Sequence, residues 1–163
     1  MTDALAISEP LATSLVRVEA FELTAAFAKA FKSAVGVAPP ASGRAEAGKG
    51  GPVLWAEPKV MLVSGDAAAL EEKLGAHAAV SDVSGAWRRI DLNGRVWREV
   101  LMVDGVFDAE SARFSPGALA ATMLHHAPVM IHAQSETEAS VYVAPSFAHD
   151  LKSALLKATA RRG

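Results

Sequence analysis

The chain has 163 residues, 51% of them apolar and 21% charged, with a formal net charge of −2 and no cysteine. That length fits one ordinary domain or two closely packed halves, and the apolar share suffices to bury a core, which excludes a disordered chain. Zero cysteines exclude disulfides, thiolate metal sites, cysteine-held iron–sulfur clusters and a cysteine nucleophile, and the near-neutral charge argues against a nucleic-acid partner.

Residues 1–14 carry Asp3 and Glu9 but no basic segment leading into an apolar run, so they read as a flexible arm rather than a secretion signal. No apolar stretch reaches the roughly 18 uninterrupted residues of a membrane-spanning helix. The expectation is a soluble, cytoplasmic protein with no membrane partner. Much of the apolar content is alanine, with only 6% aromatic residues. Small side chains bury little area each, and contact with another subunit is one way to complete such a core.

Residues 15–20 alternate apolar and polar, the period of a half-buried strand, and residues 21–35 place Phe27 and Phe31 one turn apart on a helical face that Gly36 ends. Residues 38–52 are dense in glycine and proline and read as a long loop. Residues 53–55 and 60–63 form a hairpin around 56–59. Asp66 caps a helix over 67–74 that stops at Gly75, and 78–83 is extended.

A similar order then starts again. Residues 87–92 alternate as a strand, Asn93 and Gly94 turn, and a helix over 95–103 aligns Val96, Val100 and Val103. After a loop over 104–116 come a hairpin (119–124 and 129–133 around 125–128) and a strand over 139–143. Ser146 starts a last helix with Phe147, Leu151, Ala154, Leu155 and Ala158 on one face, and Lys152, Lys157, Arg161 and Arg162 in its C-terminal half. The expected architecture is α+β: an arm (1–14) and two similar halves, 15–84 and 85–163, each of strand, helix, hairpin and helix on mostly antiparallel sheet.

The segment from Gly43 to Lys49 has the spacing of a phosphate-binding loop, but Gly50 stands where a serine or threonine would hold magnesium and Gly51-Pro52 forbids the helix that must follow. It reads as a flexible linker. His125, His126 and His132 are close in sequence, yet adjacent strand residues point to opposite faces and no carboxylate stands at a metal-ligand spacing. His77 and His149 are isolated. No nucleophile elbow occurs, and Ser81, Asp82 and Ser84 suit a strand end and turn. The chain therefore offers no catalytic, cofactor-binding or metal-binding residue. Trp87, Arg88, Arg89, Trp97 and Arg98 combine residue types that anchor interfaces or stack on a flat ligand, and they are the candidate contact surface; the alternative is that each Trp fills the core while the arginines are solvated.

The stretch from Val80 through Ser81, Asp82 and Ser84 to Asn93 and Gly94 resembles a segment of folate-binding-type domains of the glycine-cleavage T-protein family. Phe114-Ser-Pro-Gly117, the run from Val141 to Leu151, and the run from Pro52 to Leu62 resemble the gamma subunit of heterotetrameric sarcosine oxidase. The resemblance implies a folate-binding-like fold and a non-catalytic subunit without a cofactor of its own. The partners it implies are larger flavoprotein subunits holding FAD, FMN, NAD and tetrahydrofolate, in a complex that demethylates sarcosine to glycine and passes the one-carbon unit to tetrahydrofolate. Gly85 and Ala86 depart from the usual pattern. The resemblance leaves open a stand-alone folate-binding protein of the T-protein type, or an adaptor subunit of a related N-methylglutamate dehydrogenase.

Overall fold

The computed structural model describes residues 4–103 and 107–161. The first three residues of the expected arm, residues 104–106 of the expected loop, and Arg162 lie outside the described residues. In chain order the elements are β1 (Ala6–Ile7), β2 (Leu11–Ala12), β3 (Leu15–Ala20), α1 (Ala25–Val35), β4 (Ala45–Gly48), β5 (Gly51–Glu57), β6 (Val60–Ser64) and α2 (Ala67–Leu74). Then follow β7 (Ala78–Asp82), a 3-10 turn at Ser84–Ala86, β8 (Arg88–Asn93), α3 (Trp97–Leu101), β9 (Leu119–Leu124), β10 (Ala127–Ala133), β11 (Glu138–Val143) and α4 (Pro145–Ala160). The fold is α+β with two antiparallel sheets, and the chain divides into two compact units, Thr13–Ser84 and Met1–Ala12 with Gly85–Gly163. Among the described residues no helix is long and apolar enough to cross a membrane.

In the unit Thr13–Ser84 the strand order is β4-β5-β6-β3-β7. Helices α1 and α2 cover one face, where Phe27, Phe31, Val35, Leu70 and Leu74 pack on Val16, Val18, Val53, Met61, Val63 and Ala78. The helix expected from residue 21 begins only at Ala25, because the Thr24 hydroxyl accepts the Phe27 amide at 3.1 Å and caps it. Phe21 and Leu23 are left outside the helix, 57% and 60% exposed. The expected loop over 38–52 contains a strand: β4 pairs with β5 in the register Ala45↔Leu54 to Gly48↔Gly51, turning at Lys49 and Gly50. Alanine and glycine have weak strand propensity, so composition hides this hairpin, yet their small size is what the packing requires. A Cβ on Gly50 would stand 2.5 Å from the Ser64 carbonyl oxygen.

In the other unit the order is β1-β8-β11-β10-β9, with β2 also pairing β8. Ile90, Leu92, Val129, Ile131, Val141 and Val143 meet Trp97, Val100 and Leu101 of α3 and Ala148, Leu151, Leu155 and Ala158 of α4. The described part of the arm is not loose. Ala6 and Ile7 pair with Asn93 and Leu92, whereas Leu11 and Ala12 pair with Arg89 and Arg88, one residue out of step. The slip falls at Ser8, whose hydroxyl accepts the Asp91 amide at 2.9 Å while its own amide donates to the Asp91 carbonyl. Pro10, without an N–H, suits this interruption. Glu9 pairs with Lys152 of α4, and Gly94 is required where the arm passes, since a Cβ there would lie 2.7 Å from the Ala4 carbonyl oxygen.

The two strand orders differ: β3 lies between β6 and β7, whereas β8 neighbours β11, the strand that directly continues the β9–β10 hairpin. Helix α3 is a turn and a half rather than the span 95–103, and Val103 is 37% exposed. Helix α4 starts at Pro145, with its ring at the first helical position, and Phe147 falls off the buried stripe at 41% exposure.

The β9–β10 turn is made by His125 and His126, at φ 46° and 69°. A primed two-residue turn demands this left-handed backbone, which Asn-Gly adopts at far lower energy than two side-chain-bearing histidines. The double substitution His125→Asn with His126→Gly is predicted to raise unfolding free energy by about 1–2 kcal/mol. A urea melt showing no gain would mean that the histidine side chains supply contacts as favourable as the strain removed.

Candidate functional site

Trp97 and Arg98 are not at the surface. Trp97 is fully buried in the core of its unit, with Nε1 donating to the Glu136 carbonyl at 3.2 Å. The Arg98 guanidinium lies 4.3 Å from the Trp97 ring centroid and 6.0 Å from that of Phe114. Its Nη1 donates to the carbonyls of Ala109 (2.6 Å) and Phe114 (2.8 Å), and its Nη2 stands 3.5 Å from the Glu136 carboxylate. The Phe114 ring meets Trp97 and Phe107 edge-on. Arg98 thus clamps the segment that enters β9. Ser115 to Ala118 then make a type II turn, with Pro116 at the second position, Gly117 at φ 85° and the Ala118 amide on the Ser115 carbonyl. The Phe-x-Pro-Gly pattern is therefore an aromatic plug followed by a turn. Of the five residues expected at a contact surface, Trp97 and Arg98 are committed to the interior, and Trp87, Arg88 and Arg89 are half-buried.

A polar row crosses the sheet in the same unit. The registers set His132 beside Ser140 and Ser140 beside Asp91. These are the residue types of a nucleophilic triad, but Ser140 is fully buried, donates to Asp91 Oδ1 at 2.6 Å and accepts from Gln134 Nε2. A triad needs the imidazole as proton acceptor between serine and acid, and here the serine spends its proton on the carboxylate directly. Arg89 Nε pairs with Asp91 Oδ1 at 3.0 Å, and Arg89 faces Tyr142 across the strands. Burial pushes the Tyr142 phenol above its ordinary value, against the opposing charge of Arg89. No sequence motif marks this row, because it exists only once three strands are in register.

The remaining sequence candidates have structural employment. Lys49 does not stand in a phosphate cradle: its amide donates to Val35 O at 2.8 Å and its ammonium to Ser33 O at 3.1 Å, satisfying the carbonyl end of α1. Asp82 accepts the Ser84 amide at 2.9 Å and the Ser84 hydroxyl at 2.7 Å, and these bonds, the amide first, hold its carboxyl below the usual range. His77 ends α2's turn, its amide on Leu74 O and its carbonyl on the Phe21 amide. His149 is exposed on α4. Among the described residues no group of three or more histidines and carboxylates is placed to hold a metal ion. A recess of about 360 Å³ is lined by Arg95, Arg98, Glu110, Glu136 and Thr137, and its mixed charge selects no one ligand.

The same fold occurs in a chain of the heterotetrameric sarcosine oxidase from Corynebacterium sp. U-96 in complex with pyrrole 2-carboxylate: TM-score 0.84 at 22% identity, covering 99% of this chain and 86% of that one. The regulatory subunits of aspartate kinase from Thermus flavus (TM-score 0.47, 16% identity, 94% and 95% covered) and Thermus thermophilus (0.49, 16%, 97% and 99%) are more distant. No curated protein matches the sequence. A family model, sarcosine oxidase, gamma subunit family, matches residues 19–161, and the chain belongs to that family.

Proposed function

We propose that this chain is a non-catalytic structural subunit of a heterotetrameric, sarcosine oxidase-type complex. The complex oxidatively demethylates sarcosine to glycine and transfers the one-carbon unit to tetrahydrofolate, with FAD, FMN, NAD and tetrahydrofolate held by larger flavoprotein subunits. The family match over residues 19–161 carries the reading. Its support in the geometry is that the chemistry-bearing side chains hold the fold: Ser140 on Asp91, Arg98 on two buried carbonyls, Lys49 on the end of α1. The T-protein-like ancestry belongs to the same proposal, with the two units as diverged versions of one strand-helix-hairpin plan whose strand orders have separated.

Co-expression with the large oxidase subunits encoded beside it tests the assignment. The expected result is one assembly that oxidises sarcosine, while the isolated chain gives no heat with millimolar tetrahydrofolate in calorimetric titration and no turnover. A chain that stays apart from those subunits, or that binds tetrahydrofolate by itself, contradicts it.

A further inference from the structure

Each sheet ends in edge strands whose outward N–H and C=O groups invite pairing, and natural edges are blunted by charge, proline, glycine, bulges or brevity. Among the described residues three of the four edges are blunted. Strand β4 carries Glu46 and Gly48, β7 carries Asp82, and β1 is two residues long with Glu9 and Pro10 close behind. Strand β9 is the exception: Leu119-Ala-Ala-Thr-Met-Leu124 has six residues and neither charge, proline nor glycine.

The register fixes which groups face outward. Leu124 and Ala127 flank a two-residue turn and therefore form a hydrogen-bonded pair, and Ala133 donates to Ala118 at 3.0 Å six residues up the strand, in phase with it. Pro128, which has no N–H, sits opposite Met123 at a non-bonded position, as that phase requires. Leu119, Ala121 and Met123 thus turn their amides and carbonyls away from β10. Among the described residues no strand lies beyond β9. Ala121 is exposed and Met123 is 43% exposed.

We infer that the outer edge of β9 is the docking edge of this subunit, and that its occupant is an extended, uncharged segment of a larger oxidase subunit, added as a sixth main strand. Donor–acceptor pairs repeated every second residue, about 6.8 Å apart, match an extended backbone and little else. The absence of charge on β9 fits an apolar partner strand, with Met123 and Ala121 meeting its side chains. The segment leading into this edge is the one that Arg98 clamps, so the edge is presented already ordered. The inference rests on the proposed assembly with larger subunits.

The test uses the full chain and the co-expressed oxidase subunits. Ala121→Pro deletes one outward N–H at a position where an edge strand tolerates proline, and Met123→Lys installs the missing charge. Each variant is expected to bind the larger subunits about tenfold more weakly or worse. Amide exchange supplies an independent readout: the amides of Leu119, Ala121 and Met123 exchange fast in the free chain and become protected in the complex, while those of Ala120, Thr122 and Leu124 are protected in both. Wild-type binding by both variants, or fast outward amides in the assembled complex, overturns the inference while leaving the assembly intact. A dimer of the isolated chain that Ala121→Pro dissolves assigns the edge to a second copy and also overturns it. Failure of the wild-type chain to join the larger subunits is a failure of the proposed function itself.

Discussion

Arg98→Ala is expected to lower the stability of its unit by about 3–5 kcal/mol. The substitution orphans two buried carbonyls, those of Ala109 and Phe114, each worth about 1–3 kcal/mol when left without a donor. It also removes the cation from the Trp97 face, about 0.5–2 kcal/mol more. The ion pair with Glu136 adds little, because that carboxylate is 73% exposed and water screens it. Arg98→Lys restores a charge but not a planar fork able to reach two carbonyls while lying on an indole, so it recovers only a minor part. Urea unfolding of the three proteins measures the difference. A loss under about 1 kcal/mol for Arg98→Ala would mean that water replaces the guanidinium at both carbonyls.

Phe31→Ala should cost a similar amount, about 3–5 kcal/mol, for a different reason. Phe31 is fully buried beneath α1, its ring 5.6 Å from that of Phe27, and its removal opens a cavity against β3 and β6 that the sheet cannot collapse to fill. The contrast with Phe21→Ala makes the prediction sharp. Phe21 precedes the Thr24 cap and is 57% exposed, so its loss should change stability by no more than about 0.5 kcal/mol. Comparable costs for the two would mean that Phe21 is buried in solution and would contradict its place outside the capped helix.

The contrast also shows how much of the fold is legible in the sequence. Phe27 and Phe31 stand out because helical periodicity depends only on spacing, and α2 because Asp66 and Gly75 mark its ends. The start of α1 is easily misplaced since Phe21 and Leu23 are apolar and Leu23 is one turn before Phe27, and only the Thr24 hydroxyl decides the boundary. Strand β4 escapes notice because its alanines and glycine carry no periodic signal, and the arm strands because each pairs only two residues with a strand far along the chain. Trp97 and Arg98 are conspicuous in the sequence, where their residue types suit either a contact surface or a core tryptophan beside a solvated arginine, and the structure buries both. The other fate of a Trp-Arg dipeptide, an arginine buried by stacking on its own neighbour, becomes visible only when Phe114 and Ala109 are brought beside it. The edge β9 leaves no motif at all, since what distinguishes it is the lack of the residues that guard other edges.

Native mass spectrometry of the oxidase assembly, purified through a tag on one of the larger subunits, tests the proposed role most directly. The prediction is a discrete complex containing this chain in fixed stoichiometry, with the flavin retained by the other subunits when this chain is dissociated. A complete, sarcosine-oxidising complex that lacks this chain, or flavin that leaves with it, would contradict a non-catalytic structural subunit.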